Sequence, residues 1–181
     1  MKSYCLFCIS GKEGDVGRLL SHLGYEFICP TVVQWTGGNA NPVRSMRRLM
    51  PGYVFFETDA EPDWVRILRD SSVIKLLKYD DETYALRGAD AEFVEWLKKY
   101  DGCIRISEAV QVGRKIKFVS GPLKDFNGEI VKINKGRRQV QIALGGGEHL
   151  VGALWCSMEF VQENVDAAKL LGESDTAPSD T

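Results

Sequence analysis

Arg48-Leu49-Met50-Pro51-Gly52-Tyr53-Val54-Phe55-Phe56 is the stretch on which the fold turns. Pro51-Gly52 is a turn pair, and Gly52 to Glu57 is dense in aromatic and β-branched residues, the composition of a strand. Alternation sets Tyr53 and Phe55 on one face and Val54 and Phe56 on the other. The expectation is that only one of these faces packs on the domain's own helices.

Upstream, Tyr4 to Ile9 is a first strand, and Ser10-Gly11 turns the chain. Val16, Leu19, Leu20 and Leu23 fall at helical spacing, which predicts a helix over Lys12 to Leu23 that stops at Gly24. Tyr25 to Cys29 reads as a strand broken by Pro30. Val32 to Trp35 and Val43 to Leu49 flank the turn-rich TGGNANP and form a long hairpin with an exposed tip. Downstream, Pro62 to Arg69 is a short helix with Trp64, Ile67 and Leu68 on one side. Val73 to Tyr79 is a strand, and Ala89 to Tyr100 is a helix whose stripe is Phe93, Trp96 and Leu97. The order β-α-β-β-β-α-β-α predicts an α+β domain with a mostly antiparallel sheet flanked by helices.

Beyond Tyr100 the pattern changes. Residues 101–111 carry little pattern and read as a linker that lets two domains move independently, with a closed state in which the second domain covers the first left open. Lys115–Val119, Gly128–Ile133, Gln139–Leu144, Leu150–Leu154 and Phe160–Val161 are short strands separated by SGP, NKGRR and GGG. They predict a small five-stranded β-barrel over 112–163. Lys115 and Lys117 alternate with Ile116 and Phe118, so the lysines face solvent while the apolar residues enter the core. Gly121-Pro122 makes a tight turn, and Gly128 stands where a side chain would clash or where positive φ is needed. Asn164 to Thr181 is acidic, rich in small residues, and reads as a disordered tail. The net charge of −2 hides an asymmetry: Val110 to Glu163 holds eight basic and five acidic residues. A basic module thus follows a near-neutral domain, residues 1–100, and precedes an acidic tail.

The composition, 44% hydrophobic and 27% charged, supports a real core in each of two modest domains. No apolar run is long enough to span a membrane, and the N-terminus lacks a secretory pattern, so a cytoplasmic protein is expected. Cys5 and Cys8 form a C-x-x-C, but on a strand residues three apart face opposite ways and cannot share a metal. The five cysteines show no framework spacing. His22 and His149 have no nucleophile motif nearby, and Gly145-Gly146-Gly147 precedes a strand rather than a helix N-terminus. Neither catalysis, a metal nor a cofactor is expected.

Two motifs carry a family resemblance. The first is the quoted stretch followed by Asp63-Trp64-Val65-Arg66 and Val73. The second is Val112-Gly113-Arg114-Lys115-Ile116-Lys117-Phe118-Val119-Ser120-Gly121-Pro122-Leu123, continuing to Asn127-Gly128-Glu129-Ile130-Val131. The first resembles the NusG N-terminal domain and the second a KOW motif, in that family's order and over nearly all of Tyr4 to Val161. The resemblance implies a transcription elongation or antitermination factor with an SH3-like KOW barrel, acting as a monomer. It implies docking on the clamp coiled coil of RNA polymerase through Tyr4, Phe7, Met50, Pro51, Tyr53 and Phe55; Met50 departs from the aromatic residue many members carry there. It implies contact with the non-template DNA strand, with Arg18 and His22 on the first helix and Arg44 and Arg47 beside the hairpin as candidates, and Arg48 next to the latter. The barrel is the family's variable effector, binding a ribosomal or termination protein in general members. The strong basic loop instead resembles the LoaP-like branch of specialised antiterminators. On that reading Lys115, Lys117, Lys124, Lys132, Lys135, Arg137 and Arg138 contact structured RNA, read by shape because few aromatics interleave them. A ribosome-associated KOW protein without polymerase contact is a third reading, and it leaves the PGYV strand unexplained.

Overall fold

Alternation along Lys2–Cys8 (β1) and Tyr53–Thr58 (β5) builds the centre of the fold, because both strands bury both of their faces. A computed structural model describes residues 1–36, 41–79, 83–112, 115–144 and 152–161. In chain order its elements begin with β1, α1 (Glu13–His22), β2 (Glu26–Ile28), β3 (Thr31–Thr36), β4 (Val43–Arg48) and β5. They continue with α2 (Trp64–Arg69), β6 (Val73–Leu76), α3 (Gly88–Lys99), β7 (Cys103–Ile104) and β8 (Ser107–Val112). Last come β9 (Lys115–Ser120), a short 3-10 turn at Pro122–Lys124, β10 (Gly128–Asn134), β11 (Gln139–Leu144) and β12 (Leu154–Phe160).

The first sheet is antiparallel in the order β2-β5-β1-β6. Tyr4, Leu6, Cys8, Val54 and Phe56 form one of its faces and pack on Val16 and Leu20 of α1 and Ile67 of α2. Cys5 and Phe55 form the other, under Phe93, Val94 and Leu97 of α3. Both faces of the PGYV strand are therefore covered by helices, contrary to the one-sided expectation. The aromatic stripe of α3 covers the Tyr53/Phe55 face, a long-range pairing that strand alternation cannot announce. Leu68, expected on the buried side of α2, is half exposed, and Ile67 alone of that helix is fully buried. Cys5 and Cys8 lie in opposite layers as their spacing required. All five cysteines are free thiols. Burial pushes the Cys8 thiol up to about 11 and that of Cys156 up to about 12, so neither is a thiolate at neutral pH.

A second sheet, β4-β3-β7, combines the antiparallel β3–β4 hairpin with a short parallel pairing of β7 to β3. The third is a curled five-stranded sheet, β10-β11-β12-β8-β9, with β8 and β12 parallel. It forms a small half-barrel, consistent with the expected α+β class. Two of its strands differ from the sequence reading. The stretch 101–111 holds β7 and most of β8, where a free linker was expected. A register shift between Glu108 and Ala109 breaks the alternation that marks a strand. The last strand is a single Leu154–Phe160 rather than Leu150–Leu154 plus Phe160–Val161. Cys156, Ser157 and Met158 are consecutively buried, so no polar face shows. Gly128 is where a side chain would clash, since a Cβ would sit 2.5 Å from the Ala143 carbonyl oxygen. Residues 37–40 of the hairpin tip, the Gly145–Gly147 run, His149, the start of the strand expected from Leu150, the acidic tail and the side chain of Lys115 lie outside the described residues.

Candidate nucleic-acid and partner interfaces

The Pro51-Gly52 turn is fixed by a buried carboxylate. Gly52 has φ +84°, and its carbonyl accepts from the Cys8 amide at 2.7 Å. Its own N–H donates to Glu13 Oε1 at 2.7 Å, while Gly11 N–H donates to Oε2 at 3.0 Å. Arg48 Nε lies 3.7 Å from the same carboxylate. Burial would push the Glu13 carboxyl up, but the amides of Gly52, of Glu13 itself and of Gly11, with Arg48, outweigh it and hold the pKa below its ordinary value. This anchor leaves Pro51 exposed at the tip.

The six residues expected to meet RNA polymerase do not share one surface. Tyr4 is buried on the α1/α2 side, stacked on Phe56 at 5.2 Å and edge-on to Trp64 at 5.3 Å. Met50 and Phe55 are buried on the α3 side. Phe7 and Tyr53 are half-buried and meet edge-on at 5.1 Å, with Lys75 Nζ 5.9 Å above the Phe7 ring. The accessible apolar rim is therefore Phe7, Pro51 and Tyr53.

The barrel cations scatter over several places. Lys117, Lys124, Lys132, Lys135 and Arg137 are exposed, and Arg138 is half-buried. Lys135 Nζ donates to Gln111 Oε1 at 2.7 Å and lies 5.8 Å over Phe160. Arg138 reaches across to the indole of Trp35 at 5.4 Å, and Arg44, the cross-strand neighbour of Trp35, approaches the same ring at 5.1 Å. Arg18 and His22 are exposed on α1, where Arg18 pairs with Asp15. Arg47 instead lines a cleft of about 360 Å³ together with Lys132, Asn134, Arg137, Gln139 and Trp155. Sequence reading had singled out Arg47, Lys132 and Arg137 separately. It missed Asn134, Gln139 and Trp155, which carry no signal until β12 is seen against the β3–β4 hairpin.

That juxtaposition exists because the two modules share an interface. Trp96 of α3 donates its Nε1–H to the Pro122 carbonyl at 2.9 Å and packs on Phe126, ring centres 4.9 Å apart. Around it, Lys99 Nζ pairs with Asp125 at 2.7 Å, the Tyr100 hydroxyl donates to Asp125 at 2.5 Å, and Asn127 Nδ2 donates to Glu92 at 3.1 Å. On the β3 side, Gln34 Nε2 donates to the Trp155 carbonyl at 3.3 Å. One hydrophobic cluster runs from Phe55 and Phe93 through Trp96 to Leu123, Val140, Ile142, Cys156 and Met158. The two modules, joined by a stretch expected to let them move independently, are in contact in this structure. Trp96 and Phe126 each satisfy a local pattern, so their pairing is invisible in the sequence. Exposed ion pairs such as Lys99–Asp125 are screened by solvent and add little, whereas truncating a buried tryptophan costs roughly 3–5 kcal/mol, so Trp96 dominates the docking.

Among the described residues no cluster of His, Cys, Asp or Glu is placed to hold a metal, and no helix is long and apolar enough to cross a membrane. The arrangement defines a two-module protein: an α+β domain with an apolar rim at a rigid PGY turn, docked to a basic half-barrel. A family model described as transcription termination factor NusG matches residues 1–94, and the chain belongs to the NusG family, a family of non-enzymatic transcription factors. A solved structure on domain interaction in Thermotoga maritima NusG aligns with 79% of this chain and 86% of that one, at 22% identity and a TM-score of 0.43. No curated protein matches the chain.

Proposed function

We propose that the chain is a transcription elongation and antitermination factor with an N-terminal polymerase-binding domain (1–100), a KOW module (112–163) and an acidic tail (164–181). The domain docks on the clamp coiled coil of RNA polymerase through the Phe7–Pro51–Tyr53 rim, with Tyr4, Met50 and Phe55 shaping it from within. The KOW module binds structured RNA and suppresses pausing or termination on particular operons, as in the LoaP-like branch. Arg18, His22, Arg44 and Arg47 face the non-template strand in this reading, and the factor acts as a cytoplasmic monomer.

The observation that carries the RNA reading is the state of the cations. Lys117, Lys124, Lys132, Lys135 and Arg137 are exposed, and none is paired with a carboxylate among the described residues. Unpaired cations on a small module favour a polyanion, with affinity that falls steeply as salt rises. Titrating the full chain with a structured leader RNA and with an unrelated RNA across a salt series tests this. Selective binding, weakened in the Lys132→Gln/Arg137→Gln double variant, is expected. Absent binding, or equal binding to every RNA, would contradict it. A second reading has its own support: Ile130, Val131 and Ile133 are exposed on β10, at one end of the curled sheet. An apolar edge strand suits a ribosomal or termination protein partner.

A further inference from the structure

The cleft at the junction of the two modules has the chemistry of a nucleotide site, and both modules line it. Its walls come from both sides. Arg47 belongs to β4 of the N-terminal module, while Lys132 and Asn134 lie on β10, Arg137 in the following turn, Gln139 on β11 and Trp155 on β12. The Gln34–Trp155 hydrogen bond holds β3, the hairpin partner of β4, against β12 beside it. No carboxylate lines the cleft. Among the described residues none of its three cations has an acidic partner. Its volume of about 360 Å³ falls in the range of small-ligand sites.

We propose that this cleft grips one unpaired nucleotide of a folded RNA, with Arg47, Lys132 and Arg137 on the flanking phosphates and Trp155, Asn134 and Gln139 facing the base. Phosphates call for cations without competing carboxylates, and an unpaired base calls for an aromatic surface beside amide donors and acceptors. Both sets meet in this cleft. The proposal rests on the reading that the chain binds RNA; it moves Arg47 from the non-template strand to the RNA, so that the N-terminal module supplies part of the site. By linkage, RNA then stabilises the docked arrangement, and whatever separates the modules weakens RNA binding by the same factor.

The test uses the full chain and a fluorescently labelled RNA stem-loop, titrated across a salt series. The variants are Arg47→Gln, Lys132→Gln and Arg137→Gln, with Arg69→Gln, an exposed arginine of α2, as a charge-matched control. The expected result is that Arg47→Gln binds about ten-fold more weakly, with a salt slope shallower by about one, as do the two barrel variants. Arg69→Gln behaves as wild type. If Arg47→Gln matches Arg69→Gln while Lys132→Gln and Arg137→Gln still weaken binding, RNA sits on the barrel alone, and the composite site is wrong although the RNA reading stands. If the wild-type chain binds no RNA at all, the reading itself fails. The DNA stem-loop of the same sequence, run alongside, separates the two sources of phosphodiester; tighter binding of the DNA overturns the choice of RNA.

Discussion

Replacing Glu13 by alanine would strand two amides, those of Gly11 and Gly52, against a buried turn. The expected cost is about 2 kcal/mol, or roughly 4–8 °C of melting temperature at this chain length. The carboxylate also makes stability depend on pH. Its folded pKa is depressed below the ordinary 4.5. The same holds for Glu57: burial opposes the shift, but Lys98 and Ser3 outweigh it. A group with a depressed folded pKa contributes its stability above the unfolded value and loses it as pH falls through the folded one. The melting temperature is therefore expected to hold above about pH 5 and to fall on acidification below 4.5, with a shallower fall in Glu13→Gln; a slope that is the same in both proteins would contradict the role given to Glu13. At this scale the sequence is partly legible. Gly52 announces its turn, because positive φ and a neighbouring carbonyl exclude a side chain. Glu13 announces nothing, since it looks like an ordinary acid in the first turn of a helix.

Helices were readable where one face is wet: α1 and α3 follow their periodicities to within a residue or two of the expected limits, and β5, buried on both faces, was marked instead by its aromatic and β-branched composition. β8 and β12 were misread for opposite reasons: a register shift interrupts the first, and three consecutive buried residues flatten the alternation of the second. Because Ser107, Glu108 and Ala109 of β8 pair with Met158, Glu159 and Phe160, these strands depend on each other. A fragment beginning at Val110 should therefore give a poorly dispersed amide NMR spectrum, whereas one beginning at Arg105 keeps more native shifts. Equal spectra would show that the parallel pairing adds nothing to the half-barrel.

The arrangement of the whole molecule was the least legible, because Trp96 and Phe126, or Arg47 and Trp155, meet only after the chain has folded. If Trp96 dominates the docking, Trp96→Ala should split a single thermal transition into two and speed proteolysis near 101–106. A retained single transition would assign the docking to the β3–β12 side instead. The function itself stands or falls on the polymerase. The measurement to make is the affinity of core RNA polymerase for the full chain, alongside Tyr53→Ala and the exposed-surface control Arg69→Gln. Tyr53 lies on the rim and is not fully buried, so its truncation should spare the fold. The expected result is binding by the wild type and the control, with Tyr53→Ala weaker by about ten-fold or more while its melting curve stays close to wild type. Binding that is indifferent to Tyr53, or no binding by the wild-type chain, would contradict a factor that rides on polymerase through the PGY rim.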